Sequence, residues 1–205
     1  MVSRYSRDYS EADVSSEDHS LVDFSKCNFK RADFTNSEFV GTNFSQSNLS
    51  EVFAQESDFS GADLTGAILI SSVLRGSDMI KTNLTKSNLS NADFEMTNLT
   101  NAILIRANLS DADLHNSILK NAKLSDAKLL RINLEKANLN GAQLDGADLT
   151  GANLSFCNLE YVDFTNANLK NANLTGAKIS GTDFKNANLE NTQLKDTNKK
   201  DAFWD

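Results

Sequence analysis

The chain has 205 residues and a formal net charge of −8, with no proline, nine glycines and two cysteines. Negative charge does not favour attraction to nucleic acid or to an anionic membrane, so we expect no direct nucleic-acid binding and no membrane association. No apolar run approaches the roughly 20 residues of a membrane span, and the polar first residues lack the apolar core of a signal peptide. These features predict a cytoplasmic protein.

The N-terminal residues 1–11 are polar, and we predict that they form a tail. Ala12-Asp13-Val14 begins a first passable unit of a repeat, but the next central position is His19, which fits an apolar interior poorly. Regular structure is therefore expected to begin between Ala12 and Leu21. No second His or Cys lies near His19, so we expect a half-exposed side chain at an open end rather than a metal ligand.

From Val22 onwards the sequence repeats every five residues. Every fifth residue from Phe24 to Leu194 is Leu, Ile, Met or Phe, with Ala54 as the only exception, and the residue two places earlier is almost always small. Five is neither the period of a strand nor that of a helix, so each unit must combine a short extended piece with a turn. All nine glycines fall two places after a central residue, where they favour a turn.

Residues 147–156 show the repeat most clearly, as A-D-L-T-G followed by A-N-L-S-F. This pattern resembles the A-[D/N]-L-x-x motif of the pentapeptide repeat family, and the resemblance covers residues 12–198. It implies an all-β fold, a right-handed quadrilateral β-helix with four units in each square coil. The chain would then form a single domain of about nine coils over residues 12–198, with inward-pointing central and small residues.

Two details of the repeat make separate predictions. In Val52-Phe53-Ala54 the bulky residue comes one place early, so either Phe53 turns outward or the backbone shifts to bring it inside. Cys27 and Cys157 both occupy the small inward position, 130 residues or 6.5 coils apart. At about 4.8 Å per coil the two sulfur atoms are far beyond disulfide reach, so both are expected to remain buried thiols.

The C-terminal residues 199–205 leave the repeat and contain Phe203 and the only tryptophan, Trp204. Three interpretations stay open for this segment. It folds back as a cap over the last coil, it forms the contact of a homodimer through the C-terminal end, or it is disordered. Phe203 and Trp204 are the residues expected to form either the cap or the dimer contact.

The sequence contains no catalytic constellation. His19 and His115 lie about five coils apart in the proposed fold, and the cysteines are inward-facing, so neither pair can form a nucleophile–base pair or a metal cluster. We therefore predict that the chain is not an enzyme and that it has no cofactor and no metal site. Since packing fills the interior, function is expected to depend on the outer surface and on another protein as partner.

Apolar residues replace polar ones at several outward positions of the middle coils. Together they suggest a protein-docking belt, although the simpler explanation is that they form aliphatic ladders that only support strand pairing. Phe156 and Tyr161, at successive corners, form a second candidate. The residues of the belt are Ile68, Ile70, Val73, Ile80, Ile103, Ile105, Ile118 and Leu130.

The family resemblance also implies an alternative function, because some members protect DNA gyrase through an acidic rod that resembles duplex DNA. Residues 22–194 contain 20 acidic and 15 basic residues. Duplex DNA of the same length, about 42 Å, carries roughly 25 negative charges. Residues 75–136 contain nine basic and seven acidic residues, so the middle is not acidic. We therefore favour a protein-interaction or structural scaffold and keep the DNA-mimicking gyrase modulator as the alternative.

Overall fold

The computed structural model describes residues 7–204. They form a right-handed quadrilateral β-helix, as the resemblance implied. Strand β1 (Arg7–Asp8) pairs in parallel with strand β2 (Cys27–Asn28), and the other coils are joined by single parallel bridges between residues twenty apart, from Asp13↔Asp33 to Asp183↔Phe203. A separation of twenty residues corresponds to four units of five per coil. No helix in the described part of the chain is long and apolar enough to cross a membrane.

Four columns of bridging residues define four faces of the rod. Face A contains Asp23 and the residues that follow it at intervals of twenty, and faces B, C and D begin in the same way at Asp8, Asp13 and Asp18. Each corner is named by the two faces that it joins, in the chain order D–A, A–B, B–C and C–D. Faces A and C are opposite each other, as are faces B and D.

A left-handed backbone residue makes each corner. Every fifth residue from Glu11 to Asp196 has a φ between 53° and 71°, whether it is glycine or not. The turn is closed by a bond such as that from the Ala32 N–H to the Phe29 carbonyl, at 2.9 Å. Positive φ at the third residue alone is the pattern of a type II turn, which favours Gly or Asn at that place. Glycine and asparagine are therefore common at the corners.

The interior contains two layers of side chains, the large central residues and the small residues that precede them. The central residues from Phe24 to Phe184 are buried, including the stacked phenylalanines of the N-terminal coils. Hydroxyl and thiol groups at small positions are buried as well, but they have partners. Ser47 Oγ donates to the Phe24 carbonyl at 2.6 Å, and Cys157 Sγ donates to the Leu134 carbonyl at 2.8 Å. Buried polar groups cost stability unless they are bonded in this way.

The N-terminal boundary lies earlier than the sequence predicted. Arg7–Asp8 already pairs with the next coil, and the Tyr9 ring stacks on Phe29 with centroids 4.9 Å apart. The predicted start between Ala12 and Leu21, after a tail over 1–11, was therefore too late, because Tyr9 occupies a central position of the repeat. Residues 1–6 lie outside the described part. His19 is half-buried and stacks on Phe39, as expected of an end residue.

Phe53 turns outward. Its side chain is 48% exposed while Ala54 stays inside, and the bridges Asp33↔Phe53 and Phe53↔Val73 keep the separation of twenty residues. Bringing Phe53 inside would shift the register of every later bridge. One exposed aromatic ring is the smaller cost, so the rod retains its phase.

The C-terminal segment folds onto the last coil. A 3₁₀ helix over Lys199–Asp201 is capped by the Asn198 side chain, which accepts a hydrogen bond from the Lys200 N–H. Phe203 then pairs with Asp183, and the Trp204 ring stacks on Phe184 at 4.8 Å and 8°. Trp204 therefore packs as a cap over the central column, whereas Phe203 points outward and is 61% exposed.

Both cysteines are buried, and burial raises the pKa of the Cys157 thiol to about 12. Only the thiolate reacts with disulfide reagents. We expect Cys157 to resist labelling by a chromogenic disulfide at pH 8 in the folded protein and to react rapidly after denaturation, with Cys157→Ala as the blank. Rapid labelling of Cys157 in the native protein, or a Cys27–Cys157 disulfide in a mass map, would contradict the structure.

Two corner glycines provide a matched test of the turns. Gly61 (φ +68°) has open space where a Cβ would be added, whereas at Gly181 (φ +69°) a Cβ would lie 2.6 Å from the Tyr161 ring. Gly61→Ala should lower the free energy of unfolding by about 1 kcal/mol, because alanine is strained in the left-handed conformation. Gly181→Ala should lower it further, because the Tyr161 ring must also move. Urea unfolding measures the free energy of unfolding of both variants. In a Tyr161→Ala background the two glycine substitutions should destabilise the protein equally. If Gly181→Ala still costs more than Gly61→Ala there, the ring is not the cause of the difference.

Candidate protein-docking surface

Between residues 7 and 204 the interior is filled with side chains, so the outward side chains form the surface that a partner can contact. Within residues 7–204 no group of three or more His, Cys, Asp or Glu comes together in a way that could hold a metal ion. His115 contacts Asp113 and Glu95, each at 3.0 Å. His19 Nε2 lies 2.8 Å from Glu17 at the N-terminal end of the rod. Each histidine therefore has an acidic neighbour, and neither faces a cysteine or a second histidine.

The eight residues of the predicted docking belt fall on all four faces. Only Ile118 is exposed, at 40%, and the other seven are half-buried. The structure brings Ile68, Ile70 and Val73 together on one coil, but no single partner surface covers opposite faces of the rod. The belt remains a prediction. Its members are Ile103 on face A, Ile68 on B, Val73 on C and Ile118 on D, with Ile80 at corner D–A, Ile105 at A–B, and Ile70 and Leu130 at B–C.

The second candidate, the aromatic pair Phe156 and Tyr161, lies at the C–D and D–A corners. The two side chains are 59% and 68% exposed. Each ring lies close over a glycine of the next coil, Phe156 over Gly176 and Tyr161 over Gly181. Part of each ring therefore covers the backbone of the rod, and these aromatics contribute to packing between coils.

A groove lies at the C–D corner of this surface. Gly76 has no side chain to fill the space between Glu56 in the coil before and Met96 in the coil after, which leaves a volume of about 330 Å³. Met96 is 61% exposed, and the outward Phe53 lies on the neighbouring face C. We call this site the Gly76 groove; its lining residues are Gln55, Glu56, Arg75, Gly76, Glu95 and Met96.

A chain of charged side chains fixes one wall of the Gly76 groove. Arg75 Nε lies 2.6 Å from Asp93 Oδ2, and Arg75 Nη1 lies 3.2 Å from Glu95 Oε2. The other oxygen of Glu95 lies 3.0 Å from His115 Nε2. The hydrogen bond with Asp93 raises the pKa of Arg75, so the guanidinium is held in its charged form. The network orients Arg75 along the wall, although exposed ion pairs contribute little to stability.

The first four described bridging residues of face D are all acidic. Asp18, Glu38, Asp58 and Asp78 are joined by consecutive bridges and form what we call the face D ladder. On face A, by contrast, asparagine alternates with aspartate from Asp23 to Asn83, and Asn43 Nδ2 donates to Asp23 Oδ1 at 3.0 Å. Within the face D ladder no amide separates the four carboxylates. Like charges on neighbouring strands destabilise a sheet, so this ladder opposes the fold that carries it.

Sequence reasoning noticed Phe53 as an irregularity but missed the Gly76 groove and the face D ladder. Both consist of residues twenty apart, so a linear reading does not place their members side by side. Writing the sequence in rows of twenty would align Glu56, Gly76 and Met96 and would stack the four carboxylates. The alignment of these residues can therefore be found in the sequence once four units per coil are assumed.

Comparisons with known proteins agree with this architecture. The family model described as pentapeptide repeats (8 copies) matches residues 22–53, 57–95, 82–121 and 96–129, and the model of a pentapeptide repeat region matches 117–194. No curated protein matches the chain in sequence.

Among solved structures, the chain is similar to HetL, a pentapeptide repeat protein involved in heterocyst differentiation regulation from the cyanobacterium Nostoc sp. strain PCC 7120. The two are 30% identical, with a TM-score of 0.81 over 98% of this chain and 92% of HetL. A trypsin-treated form of QnrB1, a plasmid-mediated fluoroquinolone resistance protein, is 19% identical with a TM-score of 0.51, over 92% of this chain and 91% of that one. The likeness to QnrB1 concerns the fold alone.

The face D ladder predicts an unusual stabilising substitution. Asp58→Asn removes repulsion and adds an amide donor, while an asparagine oxygen still accepts the Ser60 N–H that now bonds Asp58 at 2.7 Å. We expect the thermal midpoint to rise at low salt and the gain to shrink at high salt, because salt screens exposed charges. Asp63→Asn on face A is the control and should give no such gain. A lower midpoint for Asp58→Asn, or a gain independent of salt, would contradict this interpretation.

Proposed function

We propose that this chain, which belongs to the pentapeptide repeat family, is a non-enzymatic scaffold that binds another protein. Proteins of this family are generally structural or interaction proteins. The observation that carries the proposal is the exposed ring of Phe53 on face C, two residues before Gln55 in the lining of the Gly76 groove. At this position of the repeat the rest of face C carries Asp or Asn in most coils, so the aromatic ring departs from what the fold requires.

The residue types at this surface suit a protein interface. Phe, Met and Arg are enriched at interface cores, and Arg is common among the residues that dominate binding energy. Burying the exposed half of Phe53 would contribute roughly 1 kcal/mol. Ligand pockets enclose most of a small molecule, whereas the Gly76 groove is open on its outer side and fits a protruding side chain of a partner protein.

The similarity to HetL supports a regulatory role within this proposal. HetL is described as involved in the regulation of heterocyst differentiation, and the likeness extends over nearly the whole of both chains. In this proposal the rod regulates by binding another protein. We propose that it acts in the cytoplasm, because a net charge of −8 does not favour attraction to an anionic membrane. We propose a homodimer through the C-terminal end as a second contact, since Phe203 is exposed there.

The alternative function, a DNA-mimicking modulator of DNA gyrase, has one supporting observation. The face D ladder presents four carboxylates at a regular spacing, as a nucleic-acid backbone presents phosphates. The basic residues of the middle coils weaken this comparison, because they interrupt the acidic surface where a duplex would continue. We therefore rank this alternative second.

The test compares two glycines in matched surroundings. A Cβ at Gly76 would lie 3.8 Å from Glu56 Cγ, and a Cβ at Gly66, at the diagonally opposite corner, would lie 3.8 Å from Gln46 Cγ. Glutamine is accepted at such corners, since Gln46 itself has a φ of 59°. We expect Gly76→Gln to fill the groove and to reduce the recovery of partner proteins from an extract of the source cells about tenfold. Gly66→Gln should leave recovery unchanged.

Phe53→Asn provides an independent variant, because asparagine occupies face C at Asn133, Asn153 and Asn173 and the fold should accept it. Quantitative mass spectrometry of the captured proteins is the measurement. A protein lost with both Gly76→Gln and Phe53→Asn, but retained with Gly66→Gln, supports the proposal. The same proteins in the same amounts with all the variants would exclude this surface as the docking site.

A further inference from the structure

Apolar side chains are exposed along both edges of face D. At the D–A corner Leu21 is 83% exposed and Val40 is 37% exposed. The opposite edge, at the C–D corner, contains the Gly76 groove and Met96. The face D ladder lies between these two edges. The N-terminal half of face D is therefore a sheet face with acidic residues along its middle, Leu21 and Val40 on one edge, and Met96 with the Gly76 groove on the other.

Resting on the proposed protein-binding function, the geometry points to a cationic amphipathic helix of the partner as the segment that covers this face. Its Lys or Arg side chains contact the face D ladder. Its flanking apolar side chains contact Leu21 and Val40 on one edge and enter the Gly76 groove on the other.

The charges of the face select a cationic partner. None of the four ladder carboxylates forms a salt bridge with another residue between 7 and 204, whereas Asp93, Asp111 and Asp126 each pair with an arginine. The Ser20 N–H lowers the pKa of Asp18, which keeps that carboxylate ionised at neutral pH. Lys or Arg side chains brought by a partner would relieve repulsion that the free rod retains, and arginine would bind carboxylates with paired hydrogen bonds.

The spacing of the face D ladder favours a helix over an extended segment. Neighbouring bridged residues lie about 4.8 Å apart along the rod. Residues three or four apart in a helix rise about 4.5 to 6 Å, so basic residues on one helix face stay in step with the carboxylates. Alternate residues of a strand are about 6.6 Å apart and lose register after one contact. Three intervals of the ladder correspond to about three turns of helix.

The experiment uses the full chain and two synthetic helical peptides of about 15 residues. One peptide has four Lys residues at helical spacing between two rows of Leu, and the matched peptide has Glu in place of each Lys. Fluorescence anisotropy measures the dissociation constant at low and at high salt. We expect the Lys peptide to bind, its affinity to fall with salt, and the Glu peptide not to bind.

Two double variants with equal net charge locate the site. Glu38→Gln with Asp58→Asn neutralises the middle of the face D ladder and should weaken binding of the Lys peptide about tenfold. Asp63→Asn with Asp163→Asn removes the same charge from face A and should change the dissociation constant less than about twofold. Asparagine already occupies face D at Asn98, Asn138 and Asn158, so the first variant should fold.

Equal weakening by the two double variants would mean that only net charge matters, and it would overturn the inference, as would binding of both peptides or of neither. Extract capture separates this outcome from failure of the proposed function. If a partner is lost with Gly76→Gln but retained after neutralisation of the face D ladder, the docking-site proposal stands and the cationic helix is excluded. A partner retained with both would exclude the docking site itself.

Discussion

The separation of twenty residues between bridged neighbours is the constraint on which the rest of the structure depends. It holds from Arg7↔Cys27 to Asp183↔Phe203, and it requires a left-handed residue at each corner. Each coil is stabilised by the coils on either side, so a shift in one unit would misalign every later one. Phe53 shows how strictly the register is kept, because the chain exposes an aromatic ring rather than shift the phase.

The fold was predictable from sequence because its repeat is local, whereas the surface depends on residues distant in sequence. The period of five, the in-phase glycines and the orientation of the central residues follow from single units. The N-terminal boundary was misplaced because the polar residues around Tyr9 concealed an aromatic ring at a central position. The predicted belt contains Ile103 and Val73, which point to opposite sides of the rod, since a linear reading groups outward positions without distinguishing faces.

The same repetition gives the rod its capacity for recognition. Every twentieth residue adds to one column, so a few substitutions along a column create a groove, an acidic ladder or an apolar edge without disturbing the core. The Gly76 groove results from one missing side chain between Glu56 and Met96. The face D ladder retains electrostatic repulsion that asparagine would remove, and natural proteins tolerate such local conflicts chiefly where function requires them.

Site-specific photo-crosslinking in the source cells tests the central claim, that the surface around the Gly76 groove contacts a protein, most directly. A photoreactive phenylalanine at Met96 and another at Lys86, on the diagonally opposite A–B corner, occupy exposed turns with the same φ of 58°. The account predicts a discrete crosslinked protein from the Met96 position and none from the Lys86 position. The same crosslinked species from both positions, or none from Met96, would contradict it.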